Sequence, residues 1–159
     1  MERALALRYT PGQLRDALGL TKETFRYWKK DLPALAAVAG HSPCFGPSEL
    51  VATAIAKRAV DFGGVSISRL APLAPQLFAS CEQRAWPQLE RMSVILFFKT
   101  GRVSFIDQGV PFPGDEPAVV VPLEPVIREL RERLLAADVE LQASLAFPPV
   151  PVSSRRRRR

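Results

Sequence analysis

Leu14, Ala17 and Leu18 recur at helical spacing and give a first helix one apolar face. Thr10 is placed to cap its start, Pro11 suits the first helical position, and Gly19 suits a left-handed stop. Thr21 can then cap a second helix. Leu20 before that cap and Phe25 after it are spaced as a hydrophobic staple, which fixes the angle at which the chain enters the helix. At about 100° per residue, Lys22, Arg26, Lys29 and Lys30 fall within an arc of about 100°. Thr24, Phe25 and Trp28 fall on roughly the opposite side, so one face packs and the other presents cations.

Residues 31–46 hold Pro33, Gly40, Pro43 and Gly46. A helix over Ala34–Ala39 is compatible with propensity, but the breakers predict a loop or short hairpin. Pro47 opens a third helix, with Glu49 near its positive end. Its apolar face is Leu50, Val51, Ala54, Ile55, Ala59 and Phe62, with Lys57 and Arg58 directed elsewhere, and Gly63-Gly64 ends it. Ser66 can cap a short fourth helix bearing Ile67 and Leu70. Pro72 and Pro75 interrupt any long helix beyond. A short one over Gln76–Ala85, with Leu77, Phe78 and Cys81 inward, is limited by Pro87.

The pattern then changes to β-formers. Ser93–Phe98 and Val103–Ile106 flank the turn Lys99-Thr-Gly-Arg102 and predict a hairpin. Residues 111–117 form a Pro-rich loop before a third strand, Ala118–Val121. A helix opening at Glu124-Pro125 carries Ile127, Leu130, Leu134, Ala137 and Leu141 at 3-4-3-4 spacing. Ile127, Leu130, Leu134 and Leu141 are either the seam of a dimer or a face packed on the strands of the same chain. The expected fold is α+β: a helix-turn-helix domain at 1–73, a helical linker at 74–91 and an α+β dimerisation or regulatory part at 92–146. The latter is a small antiparallel sheet, hairpin plus one strand, with a C-terminal amphipathic helix. Residues 147–159 form a Pro-rich, Arg-terminated tail, expected to be disordered.

Charge sharpens this division. Residues 1–73 carry a net +4, residues 74–154 a net −3, and the last five residues, Arg155, Arg156, Arg157, Arg158 and Arg159, add +5. A basic N-terminal part suits a polyanion, and an acidic middle suits a protein or ligand. The arginine run is either a solvated tail or a nonspecific DNA contact. Engaging all five would steepen the salt dependence of binding by about four to five log units per log salt. The two cysteines, Cys44 and Cys81, and the single histidine, His41, cannot supply the about four ligands of a metal site, so no metal is expected. Isolated cysteines fit a reducing cytoplasm, and no stretch approaches the roughly 20 apolar residues needed to span a bilayer. The absence of asparagine and the excess of Arg over Lys fit a high-GC bacterial source.

Four motifs in order carry a family resemblance. They are Tyr9-Thr-x-Gly-x-Leu14, Gly19-Leu-Thr-x-x-Thr-Phe-Arg-Tyr-Trp28, Phe45-x-Pro-x-x-Leu50 and Gly64-Val-Ser-Ile67. Residues 8–73 thereby resemble the DNA-binding domain of MerR-family transcription regulators, a winged helix-turn-helix followed by a second helix pair. The resemblance implies that Lys22, Arg26, Tyr27 and Lys29 sit at DNA, with Arg26 and Tyr27 mainly on phosphates. Thr24 and Lys30 complete the candidate set. Two departures stand out. The stretch Gly40–Phe45 lacks the family's wing arginine, which leaves a wing contact to His41 or Ser42. The prolines at 72 and 75 remove the family's long dimer helix from its usual place.

No nucleophile–base pair, Gly-rich phosphate loop or zinc-hydrolase motif occurs, so neither an enzyme nor a cofactor is expected. The expected function is a sequence-specific bacterial transcription regulator, cytoplasmic and nucleoid-associated. It would bind double-stranded DNA as a homodimer and meet RNA polymerase or another protein through its C-terminal part. One alternative is a phage or mobile-element nucleoprotein-assembly factor, similar to excisionases or small terminase subunits, which also use MerR-like winged helices. Another is a winged-helix protein-interaction module.

Overall fold

The computed structural model describes residues 7–36 and 43–144, with side chains described as far as residue 137. His41, Leu141 and Arg155–Arg159 therefore lie outside the described side chains.

Local capping chemistry starts the first two helices where the sequence predicts. Thr10 and Gln13 form a reciprocal capping box ahead of α1 (Pro11–Leu18), and Thr21 caps α2 (Lys22–Asp31). Leu32 continues directly into α3 (Pro33–Ala36), a single turn that buries Leu35. The loop or hairpin expected from residue 31 onward is thus helical at its beginning. Pro33 opens this turn, where a missing N–H costs nothing, and so does not act as a breaker.

Helix α4 (Pro47–Gly63) is buried along almost its whole circumference between Leu50 and Ala56. Phe62, expected on its apolar face, is instead 77% exposed on the last turn, with Arg58 over its ring at 5.2 Å. Next come α5 (Ile67–Leu70), a 3-10 turn at Ala71–Leu73 and α6 (Ala74–Glu82). Leu70, Ala71, Leu73 and Ala74 all keep right-handed helical backbone angles. Pro72 and Pro75 each begin a new turn, so the path bends through short turns and is not broken. Helix α6 starts and ends earlier than the expected Gln76–Ala85, and α7 (Trp86–Leu89) follows with Pro87 in its first turn.

Residues 74–91 belong to the core. Leu77, Cys81 and Leu89 are fully buried, and Trp86 Nε1 donates to the Pro47 carbonyl at 3.2 Å.

The sheet is antiparallel, in the order β2-β1-β3, with β1 (Met92–Phe97) central between β2 (Arg102–Asp107) and β3 (Val119–Pro122). Leu96 stands between Val103 and Val119, and Val94 between Phe105 and Val121. This face joins the core. The opposite face is covered too: Phe112 lies 5.8 Å from Phe97, whose ring is fully buried. Burial on both faces explains why β1 reads as a continuous apolar run with no alternation. The left-handed Gly101, φ 68°, closes the hairpin turn.

Helix α8 (Leu123–Ser144) packs on α4, α1, β1 and α7. Ile127 and Leu130, expected as a seam, are buried in the chain's own core together with Leu123 and Val126. Leu134 is half-buried against the same cluster. The helix face proposed for a partner is therefore occupied internally at Ile127 and Leu130. Its apolar spacing serves the monomer because α1 and α4, as well as the strand β1, close over it. A single hydrophobic cluster extends from Leu14 to Leu130, and the chain has an α+β fold.

Candidate nucleic-acid interface

The turn between α1 and α2 is held from both sides. Gly19, φ 63°, donates to the Asp16 carbonyl at 3.3 Å, and Leu20 N–H donates to the Arg15 carbonyl at 2.9 Å. This pair of bonds is a Schellman stop, which requires the left-handed residue. A Cβ at Gly19 would stand 2.7 Å from Arg133 Nη1, so α8 presses directly on the turn.

Beyond it, Thr21 Oγ1 accepts from Thr24 N–H at 3.1 Å and donates to Thr24 Oγ1 at 2.8 Å. The Thr24 hydroxyl is thus part of the cap and not a free base-reading group.

Phe25 and Trp28 anchor α2 to the core, and the Phe25 ring meets Phe45 edge-on at 6.4 Å. Lys22, Arg26 and Lys30 are exposed, and Tyr27 is 56% exposed beside them. Lys29 departs from this group: it is half-buried, with Nζ 5.4 Å from the Phe25 ring centroid. At about 100° per residue Lys29 lies toward the packing edge, where a ring face holds its ammonium.

Five cations on α4 and α8 are paired. Lys57 bonds Asp61, Arg58 bonds Glu129, Arg128 bonds Glu124, Arg131 bonds Glu90, and Arg133 bonds Glu129. Among the described residues, Lys22, Arg26 and Lys30 take part in no ion pair.

The fold brings one further cation to this region. Tyr9 forms an antiparallel bridge with Phe45, Tyr9 N–H donating to the Phe45 carbonyl at 2.7 Å. Arg8 consequently reaches the Cys44 carbonyl at 3.1 Å. Burial pushes the Cys44 thiol up, and Glu49 adds to that, while Arg8 and Lys29 pull it down. Arg8 and Lys29 therefore lie close enough to Cys44 to share one electrostatic neighbourhood. The only sequence signal for Arg8 is its place directly before the Tyr9 motif.

Among the described residues no group of His, Cys, Asp and Glu could hold a metal ion, and no helix is long and apolar enough to cross a membrane. Compared with known proteins, the chain matches no family model, no curated protein and no solved structure.

Proposed function

We propose that this protein is a sequence-specific DNA-binding regulator whose α2 enters the major groove of duplex DNA. One observation carries the reading: Lys22, Arg26 and Lys30, exposed and in no ion pair among the described residues, with Tyr27, on a helix fixed from behind by Phe25 and Trp28. Such a face neutralises phosphates with its ammonium and guanidinium groups and can read base edges with Arg26. The MerR-like motif order supports the same docking. A homodimer, contact with RNA polymerase, and a place on the nucleoid belong to this reading.

A second reading, a phage or mobile-element nucleoprotein-assembly factor, is favoured by the seating of α8 on the helix-turn-helix. Arg133 packs on the Gly19 turn, which suits a rigid architectural block better than a separable sensor.

Immunoprecipitation of the protein with sequencing of the bound DNA separates the two. Discrete promoter peaks are expected for a regulator. Peaks confined to one attachment or packaging site would support the assembly factor. No binding even at low salt would sink both and leave the protein-interaction module.

A further inference from the structure

The sheet has two outer strands, and the chain closes only one of them. On β2, the Gln76 amide bonds both the N–H and the C=O of Val103. Val103 therefore does not bond β1, and its partner Leu96 turns its own N–H and C=O toward β3. Leu96 pairs with Val119 and Val94 with Val121, so these pairs carry the bonds between β1 and β3. By the same alternation the N–H and C=O of Val120 point away from the sheet. Among the described residues no group bonds them.

Apolar groups flank this open edge on both faces. On the core face α4 ends against it: a Cβ on Gly63 would stand 3.2 Å from Val119, and the neighbouring Phe62 is 77% exposed. The groove beside them is lined by Phe62, Val119, Pro122 and Pro125, and Arg58 at its wall is bonded to Glu129. On the other face Val120 is 46% exposed, and Phe112 meets Phe97 on that same side. The strand itself, Val119-Val-Val-Pro122, carries no charge. Of the usual guards against edge pairing it has only its shortness and Pro122, and Pro122 leaves the Val120 donor untouched.

We infer that β3 pairs antiparallel with β3 of a second copy about a two-fold axis at Val120, joining two three-stranded sheets into one of six. A strand paired antiparallel with itself is two-fold by construction, so the patch meets its own copy. At the axis each Val120 exchanges both hydrogen bonds with its counterpart. Pro122 offers a C=O but no N–H, so a register shifted toward it loses a bond. The groove's charge is already paired, so two copies meet there without like-charge repulsion. At their exposures Phe62 and Phe112 together can bury roughly 250 Å². A standard interface buries about 800 Å² on each partner, so the dimer is a weak one, in the micromolar range. The inference supplies an interface for the homodimer of the DNA-binding reading and rests on that reading for its purpose, not for its geometry.

Sedimentation velocity of the full chain without DNA, over a micromolar concentration series, is the test. The wild type should pass from monomer to dimer as concentration rises. Val120→Lys sets two like charges face to face at the axis and should stay monomeric throughout. Val120→Pro removes a donor the chain itself does not use, which an edge strand tolerates, and should raise the dissociation constant about tenfold or more. Leu135→Lys, at an exposed residue of α8, should dimerise as the wild type does. Circular dichroism checks that each variant keeps the fold. A wild type that stays monomeric would overturn the inference and leave the edge to a strand from another protein. So would a dimer that survives both Val120 variants, or one that only Leu135→Lys dissolves. Dimerisation through Val120 by a chain that binds no duplex at low salt would uphold the interface and overturn the DNA-binding reading alone.

Discussion

At the scale of single residues, α2 divides into side chains that hold and side chains that reach. Trp28 and Phe25 hold, and truncating a buried aromatic leaves a cavity that costs about 3–5 kcal/mol. Trp28→Ala should therefore lose about that much stability in a denaturant titration. Arg26 reaches, so Arg26→Ala should leave the melting curve unchanged and weaken DNA binding about equally on unrelated sequences, reducing the salt slope by about 1. A weakening confined to one sequence would instead make Arg26 a base reader. The two thiols also differ. Burial pushes Cys81 up to about 12, only partly offset by Arg84. Cys44 is half-exposed and shifted less. Alkylation of the native protein at mildly alkaline pH should modify Cys44 and spare Cys81. Because the native thiol keeps its proton longer than the unfolded one, its contribution to stability is intact below pH 9.0 and is lost as pH rises toward about 12. Cys81→Ala should make stability fall less steeply over that window, by as much as about 1.4 kcal/mol per pH unit.

At the scale of elements, caps and periodicity were readable in the sequence because their physics is local. Thr10, Gly19 and Thr21 act within a few residues of themselves, and the first helix starts and stops, and the second starts, where those residues say. The hairpin was readable for the same reason, through Gly101 and its flanking β-formers. Elements whose form depends on distant partners were not. The prolines at 72 and 75 look like interruptions in sequence, yet each fits the first turn of a new helical segment once Leu73, Ala74 and Leu77 are buried. Likewise β2 is an outer strand, and its edge is closed by a side chain from α6. Gln76 donates to the Val103 carbonyl at 3.2 Å and accepts from its N–H at 3.0 Å. An amide used in this way substitutes for a fourth strand and hides an edge that could otherwise pair with another chain. Gln76→Ala should cost about 1–3 kcal/mol by leaving both groups of Val103 unpaired. Equilibrium unfolding monitored by circular dichroism measures it, and an unchanged midpoint would mean that water replaces the amide.

At the scale of the whole molecule, the division drawn from charge meets a continuous core. Ala17, Leu18 and Ala54 line one cleft with Val126 and Leu130, and Trp86 is bonded to the first turn of α4. Residues 1–73 expressed alone should therefore unfold without a cooperative transition, because the faces of α1 and α4 that α8 covers become exposed. The full chain should unfold in one transition, with tryptophan fluorescence and far-ultraviolet circular dichroism superimposing. Two separated transitions would show that the halves are independent. The sequence by itself determined the helix starts and stops, the hairpin, the separation of cations from anchors on α2, and the α+β class, since each depends on spacing and on interactions within a few residues. Only the tertiary structure decided what those surfaces face. It placed Ile127 and Leu130 inside the monomer, turned Phe62 outward, drew Lys29 onto the Phe25 ring, and brought Arg8 to Cys44 and Arg69 to the Phe98 ring. The physical reason is that periodicity fixes which side of a helix is apolar, whereas the partner that buries that side arrives from tens of residues away.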